Sequence, residues 1–106
     1  MKVQVNTDSS VKGDKRLESI VEEEVTDKLN RFKGDLTRVE VHIRDENSDK
    51  KGGPDDHRCM MEARLSGLDP VAVTHNDADV KRAITGAVNK LRRKLTSTLD
   101  KRNEHR

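Results

Sequence analysis

Four positively charged residues fall within five positions in the segment Lys90-Leu-Arg-Arg-Lys94. Like charges three or four residues apart destabilise an isolated helix by about 0.2–0.5 kcal/mol per pair, so this density costs stability unless an anion lies near. Guanidinium and ammonium groups are the side chains that bind phosphate. The segment therefore indicates a polyanionic partner. The alternative is a solvated helix face whose last turns favour cations through the helix dipole.

The cations that could contact a nucleic acid lie at helical positions away from an apolar stripe. The predicted RNA-binding residues are Lys81, Arg82, Lys90, Arg92, Arg93 and Lys94 of a C-terminal helix, with Lys28 and Arg31 of an earlier helix. RNA is favoured over DNA because the sequence has no helix-turn-helix, zinc-finger or basic-zipper pattern. The only aromatic residue, Phe32, falls on an apolar stripe. Contacts should therefore be to phosphate and ribose, and binding should weaken with added salt.

An acidic segment, Asp45 to Asp56, imitates part of a calcium-binding loop. Asp45, Asn47, Asp49 and Asp56 occupy the positions of oxygen ligands 1, 3, 5 and 12 of an EF-hand. The imitation fails at position 6, where Lys50 replaces the required glycine, and at position 12, where aspartate replaces the longer glutamate. A solvated acidic loop is the better interpretation, and we predict no metal site.

The single cysteine is the other residue that could do chemistry. Cys59 and His57 share one face of a predicted strand, and His42 or His75 could approach from neighbouring strands. However, a structural zinc site needs four such ligands, and Cys59 falls on the apolar side of its strand, where a neutral thiol is inert. The sequence has neither a phosphate-binding glycine loop nor a nucleophile elbow. We therefore predict no cofactor and no enzymatic activity.

Composition bounds the size and location of the protein. The 106 residues are 40% charged and 30% hydrophobic, which predicts one small, thinly cored domain over 1–106. The net charge of +2 divides into +5 for 76–106 and −3 for 1–75, so the C-terminal part is the basic one. Because no segment resembles a membrane span or a signal peptide, and one cysteine suits a reducing compartment, we expect a cytoplasmic protein without a membrane partner.

Hydrophobic periodicity predicts six elements. Apolar residues alternate in four segments and recur every three or four positions in two longer ones. The predicted order is a strand around Val3 and Val5, a helix over 14–33, strands over 36–44, 57–65 and 71–75, and a second helix that begins after Asp77 or Asp79. Asp14 is the expected N-cap of the first helix, and Gly34 its C-terminal stop. A flexible acidic loop should span 45–56, and the tail after about 102 should be disordered.

This order predicts an α+β fold of the β-α-β-β-β-α type. Hairpin connections favour antiparallel pairing of the last three strands. Two helices with one apolar stripe each must cover one face of the sheet. The expected architecture is a two-layer sandwich in which a four-stranded sheet carries both helices on one face.

Several segments, in this order, are similar to a known family. They are Arg38-Val-Glu-Val-His-Ile43 followed by Asp45-Glu-Asn47, then Arg58-Cys-Met-Met-Glu-Ala-Arg64, Pro70-Val-Ala-Val-Thr-His75 and Ala87-Val-Asn-Lys-Leu-Arg-Arg-Lys-Leu95. The sequence resembles the ribosome hibernation-promoting factors, also called ribosome-associated inhibitors, sigma-54 modulation proteins or S30EA proteins, in their short form. The resemblance spans nearly the whole chain.

This resemblance implies a fold like the double-stranded RNA-binding domain and a non-enzymatic function. The factor would dock on the small ribosomal subunit and its rRNA over the decoding region, exclude mRNA and tRNA, and so inhibit translation during stress. The family's rRNA contacts carry over onto Lys90, Arg93 and Lys94, and no small-molecule substrate is implied. Long members add a dimerisation domain that this sequence lacks, so we do not expect it to pair ribosomes by that route; a weak homodimer is left open.

Two other hypotheses remain. One is a protein-binding transcription regulator that contacts its partner through the loop 45–56 or the exposed face of the sheet. The other is a binder of structured RNA without preference for ribosomes.

Overall fold

The computed structural model describes residues 1–7, 15–45 and 56–104. The alternating segments form strands β1 (Lys2–Thr7), β2 (Leu36–Asp45), β3 (His57–Leu65) and β4 (Val71–Asp77). The two amphipathic segments form helices α1 (Lys15–Leu29) and α2 (Val80–Glu104). The predicted β-α-β-β-β-α order is confirmed. No helix among the described residues is long and apolar enough to cross a membrane.

The four strands form one sheet in the order β1-β2-β3-β4. As predicted, β2, β3 and β4 pair antiparallel through their consecutive connections. β1 and β2 pair parallel, because α1 carries the chain back to the end of the sheet where β1 began. Val5, Val41, Met61 and Val73 lie side by side across the sheet, one from each strand.

Both helices pack on that face of the sheet, and the described residues share one hydrophobic core. Val21, Val25 and Leu29 of α1 are fully buried, as are Ile84 and Leu91 of α2. No polar or charged residue within the described ranges is buried. The core is therefore made by apolar side chains alone, and the charged residues lie around it. The predicted two-layer sandwich with both helices on one face is confirmed.

The first helix ends earlier than predicted. α1 stops at Leu29 and a 3-10 turn follows over Asn30–Phe32, in place of one helix to residue 33. A 3-10 turn aligns side chains three residues apart, so it keeps Phe32 on the buried side with Leu29. Gly34 does not have the left-handed conformation that a glycine at the end of a helix commonly adopts. Among the described residues only Gly67 has a positive φ, of 75°.

Other boundaries differ at the ends of elements. β1, β2 and β4 each extend one or two residues beyond the predicted segments, whereas β3 begins and ends where predicted. α2 continues to Glu104, so the chain is helical past the boundary predicted near 102. The predicted N-cap Asp14, most of the predicted loop (46–55) and residues 105 and 106 lie outside the described residues.

The buried thiol of Cys59 makes the stability of the fold depend on pH. Cys59 lies on the helix-covered face of β3, and burial raises its pKa from 9.0 to about 12. The unfolded chain therefore loses the thiol proton first as the pH rises. We expect the higher pKa of Cys59 in the folded state to lower the free energy of unfolding by about 1 kcal/mol between pH 8 and pH 10.

Urea unfolding of the protein and of Cys59→Ala at both pH values measures this effect. The stability loss between pH 8 and pH 10 should be smaller in the variant, and an aromatic disulfide reagent should modify Cys59 only after unfolding. An equal loss in both proteins, or rapid modification of the native thiol, would contradict the prediction.

Candidate RNA-binding surface

Two aspartates fix the start of the basic helix α2. The Asp79 carboxylate accepts a hydrogen bond from the Lys81 backbone N–H at 3.0 Å, and the Asp79 carbonyl accepts one from Ala83 at 2.9 Å. The Asp79 N–H in turn donates to the Asp77 carboxylate at 3.0 Å. Asp79 is therefore the N-cap, one of the two predicted alternatives. The cap fixes the residue at which α2 begins, and the buried stripe from Ala83 to Leu99 then decides which side of the helix carries the predicted cations.

Arg82 is exposed but partly neutralised. Its Nε lies 3.1 Å from Oδ1 of Asp77 and 3.9 Å from Oδ2 of Asp79, while 69% of its side chain is exposed. The N–H of Asp79, together with the positive charge of Arg82, holds the pKa of Asp77 below its ordinary value. Asp77 is thus ionised at neutral pH and reduces the positive field at the start of α2.

Lys81 lies beside an acidic surface. It lines a groove between the helices together with Ile20, Glu23, Glu24 and Asp27 of α1. These carboxylates attract the ammonium group and repel phosphate. The surroundings of Lys81 are therefore unfavourable to RNA.

Lys90 and Lys94 extend over the edge of the sheet. The Lys90 Nζ donates to the carbonyl of Thr74 at 2.9 Å, and the Lys94 Nζ donates to that of Ala72 at 3.1 Å. Both carbonyls belong to β4, an edge strand whose outer side pairs with no other strand in the described part of the chain. These contacts hold both ammonium groups at the edge of the sheet, each against one backbone carbonyl. Each ammonium keeps donors for a phosphate.

Arg92 and Arg93 are the predicted RNA-binding arginines whose guanidiniums are not engaged by another described residue. Both are exposed, and neither guanidinium makes a hydrogen bond or ion pair with another residue in the described part of the chain. At 100° per residue, Arg93 lies on the same outward face as Asn89 and Arg82. Arg92 lies on the other side of α2 from Lys90. The four cations of Lys90-Leu-Arg-Arg-Lys94 are therefore spread over the exposed side of α2, outside the stripe that packs on the sheet, instead of forming one ridge.

The two cations predicted on the first helix lie at its C-terminal end. Lys28 is half-buried in the last turn of α1, where the helix dipole favours a positive charge. Arg31 is exposed, and its guanidinium lies 4.7 Å from the centre of the Phe32 ring, within the range of a cation–π contact. Arg31 is thus a fixed cation at the surface, whereas Lys28 is a partly covered one.

The structure adds residues that the sequence analysis did not select. Arg44 and Arg58 lie opposite each other on β2 and β3, on the face of the sheet that the helices leave uncovered. The period-2 alternation already placed both on the polar side, which was the available signal. His75 packs against Gly86 of α2, and no local pattern indicates that contact. Within the described ranges, no three His, Cys, Asp or Glu residues are grouped to hold a metal ion.

Comparison with known proteins gives the family. The sequence profile of "Sigma 54 modulation protein / S30EA ribosomal protein" matches residues 4–103. No curated protein matches the chain.

Two solved structures share the fold. The protein Y N-terminal domain of Thermus thermophilus superposes with a TM-score of 0.74 at 19% identity, over 92% of this chain and 99% of that one. A ribosomal subunit interface protein from Coxiella burnetii superposes with a TM-score of 0.75 at 12% identity, over 94% and 99%. Given the profile match over most of its length, this chain belongs to the sigma 54 modulation protein / S30EA ribosomal protein family, whose members are ribosome-associated modulation factors and not enzymes.

Proposed function

We propose that this protein inhibits translation in the cytoplasm during stress by occupying the decoding region of the small ribosomal subunit. The observation that carries the proposal is the availability of Arg92 and Arg93, which project from the surface of α2 without a partner among the described residues. Binding would place these guanidiniums on rRNA phosphates, with Lys90 and Lys94 adding charge beside them. Inhibition would then be steric, because the bound factor excludes mRNA and tRNA.

The dimensions of α2 suit such a role. Its 25 residues make a rod of about 37 Å, long enough to follow several phosphates of a folded RNA. Its cap at Asp79 and the ion pair between Arg102 and Asp35, with 2.9 Å between Nη2 and Oδ1, hold the two ends of the helix. A cationic helix held at both ends loses little conformational entropy when it binds. The shape of α2 therefore supports the proposal in addition to its charge.

Sedimentation with isolated small subunits tests the proposal. The native chain should co-sediment at low salt and dissociate as potassium chloride is added. The variant in which Lys90, Arg92, Arg93 and Lys94 are all glutamine should fail to co-sediment under the same conditions, because it has lost four phosphate-binding charges. A footprint on the subunit should fall at the decoding region, and bound protein should compete with tRNA.

Three results would overturn the proposal. Unchanged co-sedimentation of the quadruple variant would remove α2 from the binding surface. Absence of binding by the native chain would favour a partner protein instead, and equal binding to unrelated structured RNA would favour a general RNA-binding role.

A further inference from the structure

The two helices present an acidic surface beside a basic one. The middle of α1, from Glu22 to Asp27, has four carboxylates and no cation, and Glu22, Glu23 and Asp27 are exposed. The exposed guanidiniums of Arg92 and Arg93 belong to the neighbouring helix α2. Because both helices pack on the same face of the sheet, the two surfaces lie side by side on the outside of one layer.

The carboxylates of α1 have no cationic partner among the described residues. Glu22, Glu23, Glu24 and Asp27 make no ion pair and no side-chain hydrogen bond there. Glu23 and Asp27 are four residues apart, a spacing at which like charges destabilise a helix by about 0.2–0.5 kcal/mol. Glu24 lines the groove between the helices, and its Oε2 is buried without a hydrogen-bond partner. A cation from outside the chain would offset the repulsion and the desolvation of this carboxylate.

The arrangement of the helices allows a second copy of the chain to supply these cations. A two-fold axis that runs along the groove between α1 and α2 turns a second pair of helices to face the first. The axis exchanges left and right, so α1 of each copy faces α2 of the other. Two identical contacts between carboxylates and guanidiniums then form together. A basic segment of another protein would contact α1 alone and would leave Arg92 and Arg93 unpaired, so the second copy is the better occupant.

We propose that two copies associate through their helices, with Arg92 and Arg93 of each copy on Glu22, Glu23 and Asp27 of the other. Guanidinium and carboxylate groups can pair through two parallel hydrogen bonds, which suits these side chains. Self-association covers the arginines that the proposed function places on rRNA. RNA and a second copy therefore compete for the same guanidiniums. This competition rests on the proposed function, whereas self-association does not.

The contact should be weak and sensitive to salt. α1 has 15 residues and is about 22 Å long, and two helices side by side are about 20 Å wide, so roughly 450 Å² of each copy faces the other. A stable interface buries about 800 Å² on each partner. Exposed ion pairs add little to such an area and are screened by salt. We therefore expect the dimer only at high protein concentration and low ionic strength.

Sedimentation velocity of the full chain over a range of concentrations tests the dimer. At about 0.01 M potassium chloride charges act over about 30 Å, and the average mass should rise with concentration from one chain toward two. At about 1 M the range falls to about 3 Å, and the mass should stay at one chain. A native chain that is monomeric in both conditions would overturn the inference.

Charge reversal provides the specific test. Glu23→Lys/Asp27→Lys makes the acidic surface basic, and Arg92→Glu/Arg93→Glu makes the basic surface acidic. Each variant alone should self-associate at least tenfold more weakly than the native chain, because like charges then face each other. An equimolar mixture of the two variants should recover the dimer, since each α1 faces an α2 of opposite charge. A mixture that does not associate would overturn the inference.

Lys2→Glu/Lys33→Glu is the matched control for net charge. It changes the charge by the same amount as the arginine variant, at two exposed residues outside both helices. It should self-associate within threefold of the native chain, and an equal loss in both variants would overturn the assignment to α2. Circular dichroism verifies that all three variants fold. Assemblies larger than two chains would overturn the two-fold arrangement, and binding of decalysine by a native chain that stays monomeric would assign the acidic surface to another basic protein.

Subunit binding separates this inference from the proposed function. Addition of small subunits or structured RNA should dissociate the dimer, and a dimer retained on RNA would overturn the competition. If the native chain dimerises but does not co-sediment with subunits, the ribosomal proposal fails and the dimer is supported. If it co-sediments with subunits but stays monomeric at low salt, the dimer fails and the ribosomal proposal is supported.

Discussion

Replacement of Gly86 by alanine should destabilise the protein by about 1–3 kcal/mol, although alanine is the better helix former by about 1 kcal/mol. A Cβ at this position would lie 2.2 Å from Cδ2, 2.4 Å from Nε2 and 2.6 Å from Cγ of His75. The imidazole sits between α2 and β4, so the new methyl group must displace the ring or the helix. The steric cost therefore outweighs the gain in helix propensity. Urea unfolding followed by circular dichroism measures it.

A double-variant cycle shows whether His75 is the cause. In a His75→Ala background the obstruction is gone, so Gly86→Ala should raise the free energy of unfolding by about 0.5–1 kcal/mol. Gly34→Ala is the control, because its added Cβ meets nothing within 4 Å and its φ is not positive, so no loss is expected. If Gly86→Ala has the same effect with and without the imidazole, the contact between His75 and Gly86 does not limit how closely α2 approaches the sheet.

Replacement of Arg92 and Arg93 by glutamine should weaken binding to small ribosomal subunits by about 10- to 100-fold. Each guanidinium is taken to make one charged contact with phosphate, worth about 1.5 kcal/mol or less at an exposed site. The slope of log affinity against log salt should fall by about 1.5, since each phosphate contact contributes about 0.7–0.9. Titration of labelled protein with subunits at several potassium chloride concentrations gives both quantities.

Lys90→Gln/Lys94→Gln is the matched comparison, because it removes the same charge from the same helix. Its subunit affinity should fall less, since both ammonium groups already donate to the carbonyls of Thr74 and Ala72. It should instead lose about 1 kcal/mol of stability, as two edge carbonyls lose their donors. The arginine variant should unfold at the same urea concentration as the native protein. A larger loss of affinity in the lysine variant would contradict this division of roles.

The face that each segment buries could be predicted from local patterns. Val39, Val41 and Ile43 alternate with polar residues, and all three lie in the core. The stripe of α2 from Ala83 to Leu99 is likewise buried. Such patterns work because the side-chain periods of strand and helix depend on the backbone alone, so burial can be read from one segment at a time. The family resemblance also rests on local segments in a fixed order, and the profile match confirmed it.

Contacts between segments depended on the tertiary structure. The sequence showed a cluster of four cations on α2, but only the packing of this helix along β4 brings Lys90 and Lys94 to the strand edge and leaves Arg92 and Arg93 available. The contact of His75 with Gly86 likewise depends on how closely the helix approaches the sheet. Elements and their buried faces were thus determined by the sequence, because period and propensity are local. Which charges remain available to RNA was decided by strand register and helix placement, which join residues far apart in the chain.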